Sequence, residues 1–199
     1  MIRIVFVDDQ PAVRAGLQSV LQTEPGLVPV GTAADPDEAE ALIARAEPDV
    51  VLMDDRLAGK DGFLLGRRIK GEAGGPAVVV YTNEPPRHVA LAARLAGVDA
   101  VVDRSASQQE LCAAIREVAR GQGSLPRFSA DELREAGEKI PAADLPILGM
   151  AVNRVPPREI AETLGVRVRD VLRRLERMIM LVRTLPVSVA AAGATMATI

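Results

Sequence analysis

Five short apolar runs, each followed by a segment with apolar residues at helical spacing, restrict this chain to a narrow set of folds. The runs are residues 4–7, 27–30, 50–53, 78–81 and 100–102. After the first, Val13, Leu17, Val20 and Leu21 share one helical face behind Pro11, a favoured first-turn residue. Ala39, Leu42, Ile43 and Ala46 repeat the pattern, as do Leu64, Leu65 and Ile69, then Val89, Ala92, Ala93 and Ala96, then Leu111, Ile115, Val118 and Ala119. Strands that are apolar without alternation are buried on both faces. The alternation therefore predicts an α/β fold whose all-parallel sheet is covered by helices on both sides.

The pattern stops near residue 122. Gly121, Gly123 and Pro126 end the fifth helix, and Ser129 with Glu132 is a capping-box signature for a short helix over 130–138. Helical segments at 145–152 and 157–164, a turn at Gly165 and a longer helix over 168–182 then read as a helix-turn-helix. The expected division is 1–122 as the α/β domain, 123–139 as linker and linker helix, and 140–199 as a second, smaller all-α domain. One more short helix is expected after Pro186. Residues 1–123 carry 13 basic and 18 acidic groups and residues 124–199 carry 11 and 9, so the two parts should meet different partners.

Several function classes drop out. Aromatics are 2% of the chain, with no Trp, too few for stacking on single-stranded nucleic acid. The one cysteine, Cys112, forms no internal disulfide and no cysteine-ligated metal site, and its place on an apolar helix puts it in the core. That usage fits a reducing cytosol. The opening apolar run is too short for a signal peptide, and no charge-free stretch reaches the roughly 20 residues of a membrane span. A cytoplasmic chain with no membrane association is expected. His88 is the only histidine, so no catalytic histidine network is available. Gly74 and Gly75 are loop formers without the Lys-Ser/Thr of a phosphate cradle.

In open parallel sheets, ligands bind beyond the carboxyl ends of the strands. Asp8 and Asp9 follow the first run and Asp54 the third. Three converging carboxylates repel one another, and a hard divalent cation such as Mg²⁺ relieves this. Thr82 closes the fourth run and Arg104 follows the fifth. A metal, a hydroxyl and a cation around one carboxylate suit phosphoryl transfer.

These residues sit in stretches that resemble receiver domains of the NarL/FixJ group: Val-Asp-Asp-Gln-Pro at 7–11, Val-Arg-Ala-Gly-Leu at 13–17, Pro-Asp-Val-Val-Leu-Met-Asp at 48–54 and Lys-Asp-Gly at 60–62. The resemblance runs from residue 2 to 123. It implies a flavodoxin-like (βα)5 receiver, phosphorylated on Asp54 by a sensor histidine kinase. Asp8 and Asp9 would hold Mg²⁺ with Asp54 and the backbone carbonyl of Arg56, and Thr82 would be the switch hydroxyl. The sequence departs from the family at four places. Arg104 stands where receivers carry lysine, and Val101 where the switch aromatic usually sits. Leu57, Ala58 and Gly59 replace Met-Pro-Gly, and Asp55 adds a charge beside the acceptor.

The stretch 157–165 resembles the scaffold helix and turn of LuxR-type output domains. In the helix that follows, Arg169, Arg173 and Arg177 fall at i+4 spacing, with Arg167 and Arg174 nearby, a row suited to DNA phosphates. Asp170, Leu172 and Glu176 break the family pattern there, and the apolar run 178–182 calls for burial against another helix or another chain. Two readings stay open. One is a two-component response regulator that controls transcription, as a homodimer on DNA. The other is an atypical regulator acting through protein contacts, without specific DNA binding. A Mg²⁺-dependent phosphatase on a similar sheet would need a second acid–base motif, which is not evident, so an enzyme is not expected.

Overall fold

A computed structural model describes residues 1–71, 75–123, 125 and 129–184, and leaves aside the side chains of 86–88. The expected helix after Pro186, Gly74 and Pro126 lie outside the described residues, as does the His88 side chain.

The strands are β1 (Ile2–Val7), β2 (Leu27–Ala33), β3 (Val50–Met53), the two-residue pair β4 (Arg56–Leu57) and β5 (Lys60–Asp61), β6 (Ala77–Thr82) and β7 (Ala100–Asp103). Five of them form one parallel sheet in the order β2-β1-β3-β6-β7, as the alternation predicts. Proline cannot donate to a sheet ladder and is tolerated at edges. Pro29 accordingly lies in the edge strand β2, where the register with β1 slips.

Helices α1 (Pro11–Gln22), α2 (Pro36–Ala46), α3 (Gly62–Lys70), α4 (Pro86–Ala96) and α5 (Gln108–Val118) connect the strands. Alternate residues of a strand face opposite sides. Ile4 and Phe6 pack with Leu21 of α1 and Leu111, Cys112 and Ile115 of α5, whereas Val5 and Val7 face α2, α3 and α4.

Beyond the sheet come α6 (Ala130–Lys139), α7 (Leu145–Val152), α8 (Pro157–Leu164) and α9 (Val168–Arg183). Both hydrogen bonds of the Ser129–Glu132 capping box are present at α6. Gly165, with φ +65°, ends α8 in the left-handed conformation that glycine adopts without strain. These helices do not form a separate core. Ile147, Ile160, Val171, Leu175 and Met178 are fully buried and continue the cluster on the α2–α4 side of the sheet. Helix α9 packs along α4 and also touches α3, α7 and α8.

Candidate functional site

The strand order sets three carboxylates side by side. β1 and β3 are neighbours, so Asp8, Asp9 and Asp54 emerge together at their carboxyl ends. The backbone extends the ladder past both strands, with Asp54 N–H donating to Val7 and Asp8 N–H to Ala33. Asp8 and Asp54 are buried and Asp9 is exposed. One carboxylate oxygen from each lies within 4.8 Å of the others, an all-oxygen donor set of the kind Mg²⁺ takes.

β6 and β7 bring the remaining two predicted residues. One guanidinium nitrogen of Arg104 lies 2.6 Å from Asp8 Oδ2 and 2.8 Å from Asp54 Oδ2. Its length is taken up by stacking, with the guanidinium carbon 5.5 Å from the centre of the Tyr81 ring. Its Nε donates to the Tyr81 carbonyl, and the Tyr81 hydroxyl returns a bond to the Arg104 carbonyl. Arginine here is thus a bridging cation with its own support. Burial pushes the Asp54 carboxyl up to about 6. Arg104 opposes that shift, and Asp55 and Asp8 add to it.

Thr82 is fully buried at the end of β6, but its hydroxyl donates to Asp55 Oδ1 at 2.5 Å and not to Asp54. The extra carboxylate at 55 captures the nearest hydroxyl donor. Asp55 is also met from the far end of the chain. Arg183, in the last turn of α9, places its nitrogens 2.8 Å from Asp55, 3.0 Å from Asp61 and 2.9 Å from Glu84. Its guanidinium also lies 5.1 Å from the centre of the Phe63 ring. Burial alone would depress the pKa of Arg183, but Asp61 and Glu84 outweigh it and raise it. Sequence reasoning singled out neither Arg183, Asp61 nor Glu84 for this role. A basic residue in a helix's last turn is ordinary, and nothing local signals contacts 99 to 128 residues away.

The turn between β4 and β5 completes the rim. Ala58 has φ +48°, and its N–H donates to Asp9 Oδ2. Gly62 opens α3, and a Cβ there would collide with the Asp54 carbonyl oxygen, which explains the glycine of the 60–62 motif. The Arg56 side chain is exposed and pairs with Glu84 at 2.9 Å. Val101, in place of the aromatic, is half-buried against the larger core cluster.

The five arginines of the second site do not form one uniform row. Arg169 and Arg173 are exposed. Arg167 is exposed but pairs with Asp170 at 2.7 Å, which neutralises the acid that interrupts the row. Arg174 and Arg177 both reach the buried Asp144, at 3.3 and 3.7 Å. Of the apolar run, Met178 and Ile179 are buried and Met180 and Leu181 are exposed. No helix among the described residues is long and apolar enough to cross a membrane.

The family model for the response regulator receiver domain matches residues 4–116. The transcriptional regulatory protein LiaR of Bacillus subtilis is 28% identical over 86% of this chain and 86% of its own. The DNA-binding transcriptional activator DevR/DosR of Mycobacterium tuberculosis is 28% identical over 90% of this chain and 87% of its own. The crystal structure of a LuxR-family two-component response regulator from Aurantimonas is 31% identical with a TM-score of 0.58, covering 71% of this chain and 99% of that one.

Proposed function

The chain belongs to the response regulator receiver family, and from that premise we propose that it is a phosphorylation-controlled transcription regulator with Asp54 as the phosphoacceptor. The observation that carries this reading is the cluster of Asp8, Asp9 and Asp54 with Arg104 bridging two of them. Residues 1–122 act as the receiver, 123–139 as the linker and 140–199 as the output domain.

In the reaction, an Asp54 oxygen attacks the phosphorus of a phosphohistidine on a partner kinase. The phosphorus–nitrogen bond breaks, and the histidine nitrogen takes back its electron pair. Arg104 offsets the charge that accumulates on the phosphoryl oxygens. Asp8, Asp9, Asp54 and the Arg56 carbonyl would hold a Mg²⁺ ion, whose charge offsets the carboxylates and the phosphoryl group. Thr82 turns its hydroxyl from Asp55 to a phosphoryl oxygen. It cannot serve both, so the state of Asp54 is linked to the carboxylate that Arg183 grips.

The arrangement described is a closed one. A major groove about 12 Å wide admits one helix of about 10–12 Å diameter, and α9 carries α4 along its flank. Opening would free α9 for DNA and α4 for a second copy of the chain. The test is beryllofluoride with Mg²⁺. Binding that is lost in Asp54→Asn, with tighter retention of genomic fragments by the loaded protein, supports the proposal. No binding of the mimic sinks the phospho-switch.

The exposed Met180 and Leu181 beside the acid-paired Arg174 and Arg177 favour a second reading, a regulator working through protein contacts. It would retain no DNA at any salt concentration, whatever the state of Asp54.

A further inference from the structure

A cleft of about 470 Å³ lies between α3 and α4 on one side and α7, α8 and α9 on the other. Basic side chains predominate among its described lining residues, Arg67, Lys70, Arg94, Arg154 and Arg158, with Asp99 as the one carboxylate among them. That carboxylate is already committed to Lys70 at 2.9 Å and to the backbone N–H of Val78. The chain as a whole carries a net charge of −3, so a basic concentration of this kind is a local feature.

Arg67 is the informative member. It is only 6% exposed, and it forms no ion pair among the described residues. One of its terminal nitrogens donates to the Gly71 carbonyl, while its Nε has no hydrogen-bond partner. Glu176 of α9 supplies an opposing charge, but a buried N–H donor left without a partner is still costly. One further feature points the same way. Arg154 holds a left-handed backbone, φ +62°, at the cleft's edge. Leu95, Val98 and Val155 supply an apolar wall.

We propose that this cleft binds a small organic phosphate of about mononucleotide size, with its phosphate on the arginines and its apolar body on that wall. The volume falls within the range of small-molecule sites, and guanidinium groups bind phosphate oxygens in pairs. A ligand touching both walls favours the closed arrangement, giving the chain a second input separate from Asp54.

The test is calorimetric titration of the full-length Asp54→Asn protein without divalent cations, so that the acidic pocket does not take up phosphate. The probes are adenosine 5′-monophosphate, guanosine 5′-monophosphate and inorganic pyrophosphate, with uncharged adenosine as control. At least one mononucleotide should bind with a Kd on the order of 0.1 mM or tighter, and more weakly as salt rises. Arg154→Gly relaxes the left-handed backbone, so its melting temperature should hold or rise while binding weakens about tenfold or more. Arg67→Gln should weaken binding likewise. Absence of binding by every mononucleotide up to about 10 mM overturns the proposal. So does binding that survives both substitutions, or pyrophosphate bound as tightly as the nucleotides. A random DNA duplex that depends on Arg154 but not Arg67 and displaces the nucleotide would assign the cations to nucleic acid and overturn it too.

Discussion

The guanidinium of Arg183 lies 2.8 Å from the carboxylate of Asp55, and the other oxygen of that carboxylate accepts from the hydroxyl of Thr82. A side chain next to Asp54, the proposed phosphoacceptor, thus joins the end of β6 to the end of α9. Removing Arg183 leaves Asp55, Asp61 and Glu84 without their shared cation. Arg183→Ala should lower stability by about 1–3 kcal/mol and raise amide exchange across α9. Hydrogen exchange of the full chain checks this. Beryllofluoride should raise α9 exchange in the unsubstituted protein and add little in the variant.

Lysine should replace Arg104 as a cation in the proposed chemistry, though not in its packing. A lysine ammonium is a point charge without the planar stack on Tyr81. Arg104→Lys should keep phosphorylation by a small phosphodonor, with a change of less than about tenfold in rate. Arg104→Ala should lose about a hundredfold or more. Both are read from the time course of phospho-Asp54 formation.

Gly62 is fixed by contact with backbone. A Cβ there meets the Asp54 carbonyl oxygen and the Asp55 backbone, neither of which can rotate away. Gly62→Ala should cost about 1–3 kcal/mol in denaturant unfolding and displace the backbone at Asp54 and Asp55. Gly16→Ala, where a Cβ has open space around it, is the control and should be neutral or slightly stabilising.

Acidity gives a further check. The Asp54 carboxyl is raised to about 6 from an ordinary 3.8, chiefly by burial, so folding favours its protonated form. Its contribution is present in full below the ordinary value and is lost as pH rises through the folded value. With metal chelated, the melting temperature should therefore rise as pH falls from about 7 to 5, and Asp54→Asn should flatten that rise. Mg²⁺, which favours the charged carboxylate, should flatten it as well. Asp35, Asp103 and Asp170 have lowered values and act with the opposite sign, at more acid pH.

Much of the receiver was legible because its signals are local. Unbroken apolar runs marked buried parallel strands, and carboxylates directly after the first and third run had to converge once those strands were neighbours. Ser129 and Glu132 wrote a helix start three residues apart. The exposed arginines of α9 were readable from spacing alone. What spacing cannot carry is partner choice across the chain. The Thr82 hydroxyl was expected to serve the acceptor, yet it serves Asp55, because the residue beside the acceptor competes for it. Arg67 and Arg183 carry no local signal of burial, which follows only from how α9 lies on α3 and α4. Asp144 draws Arg174 and Arg177 for the same reason.

The apolar cluster on the α2–α4 side of the sheet runs without interruption into α7, α8 and α9. Heat should therefore melt the closed molecule as one cooperative body, not as two pieces in turn. A fragment cut after residue 122 would bare the flank of α4 to water and be prone to clump, whereas the intact chain keeps that flank dry.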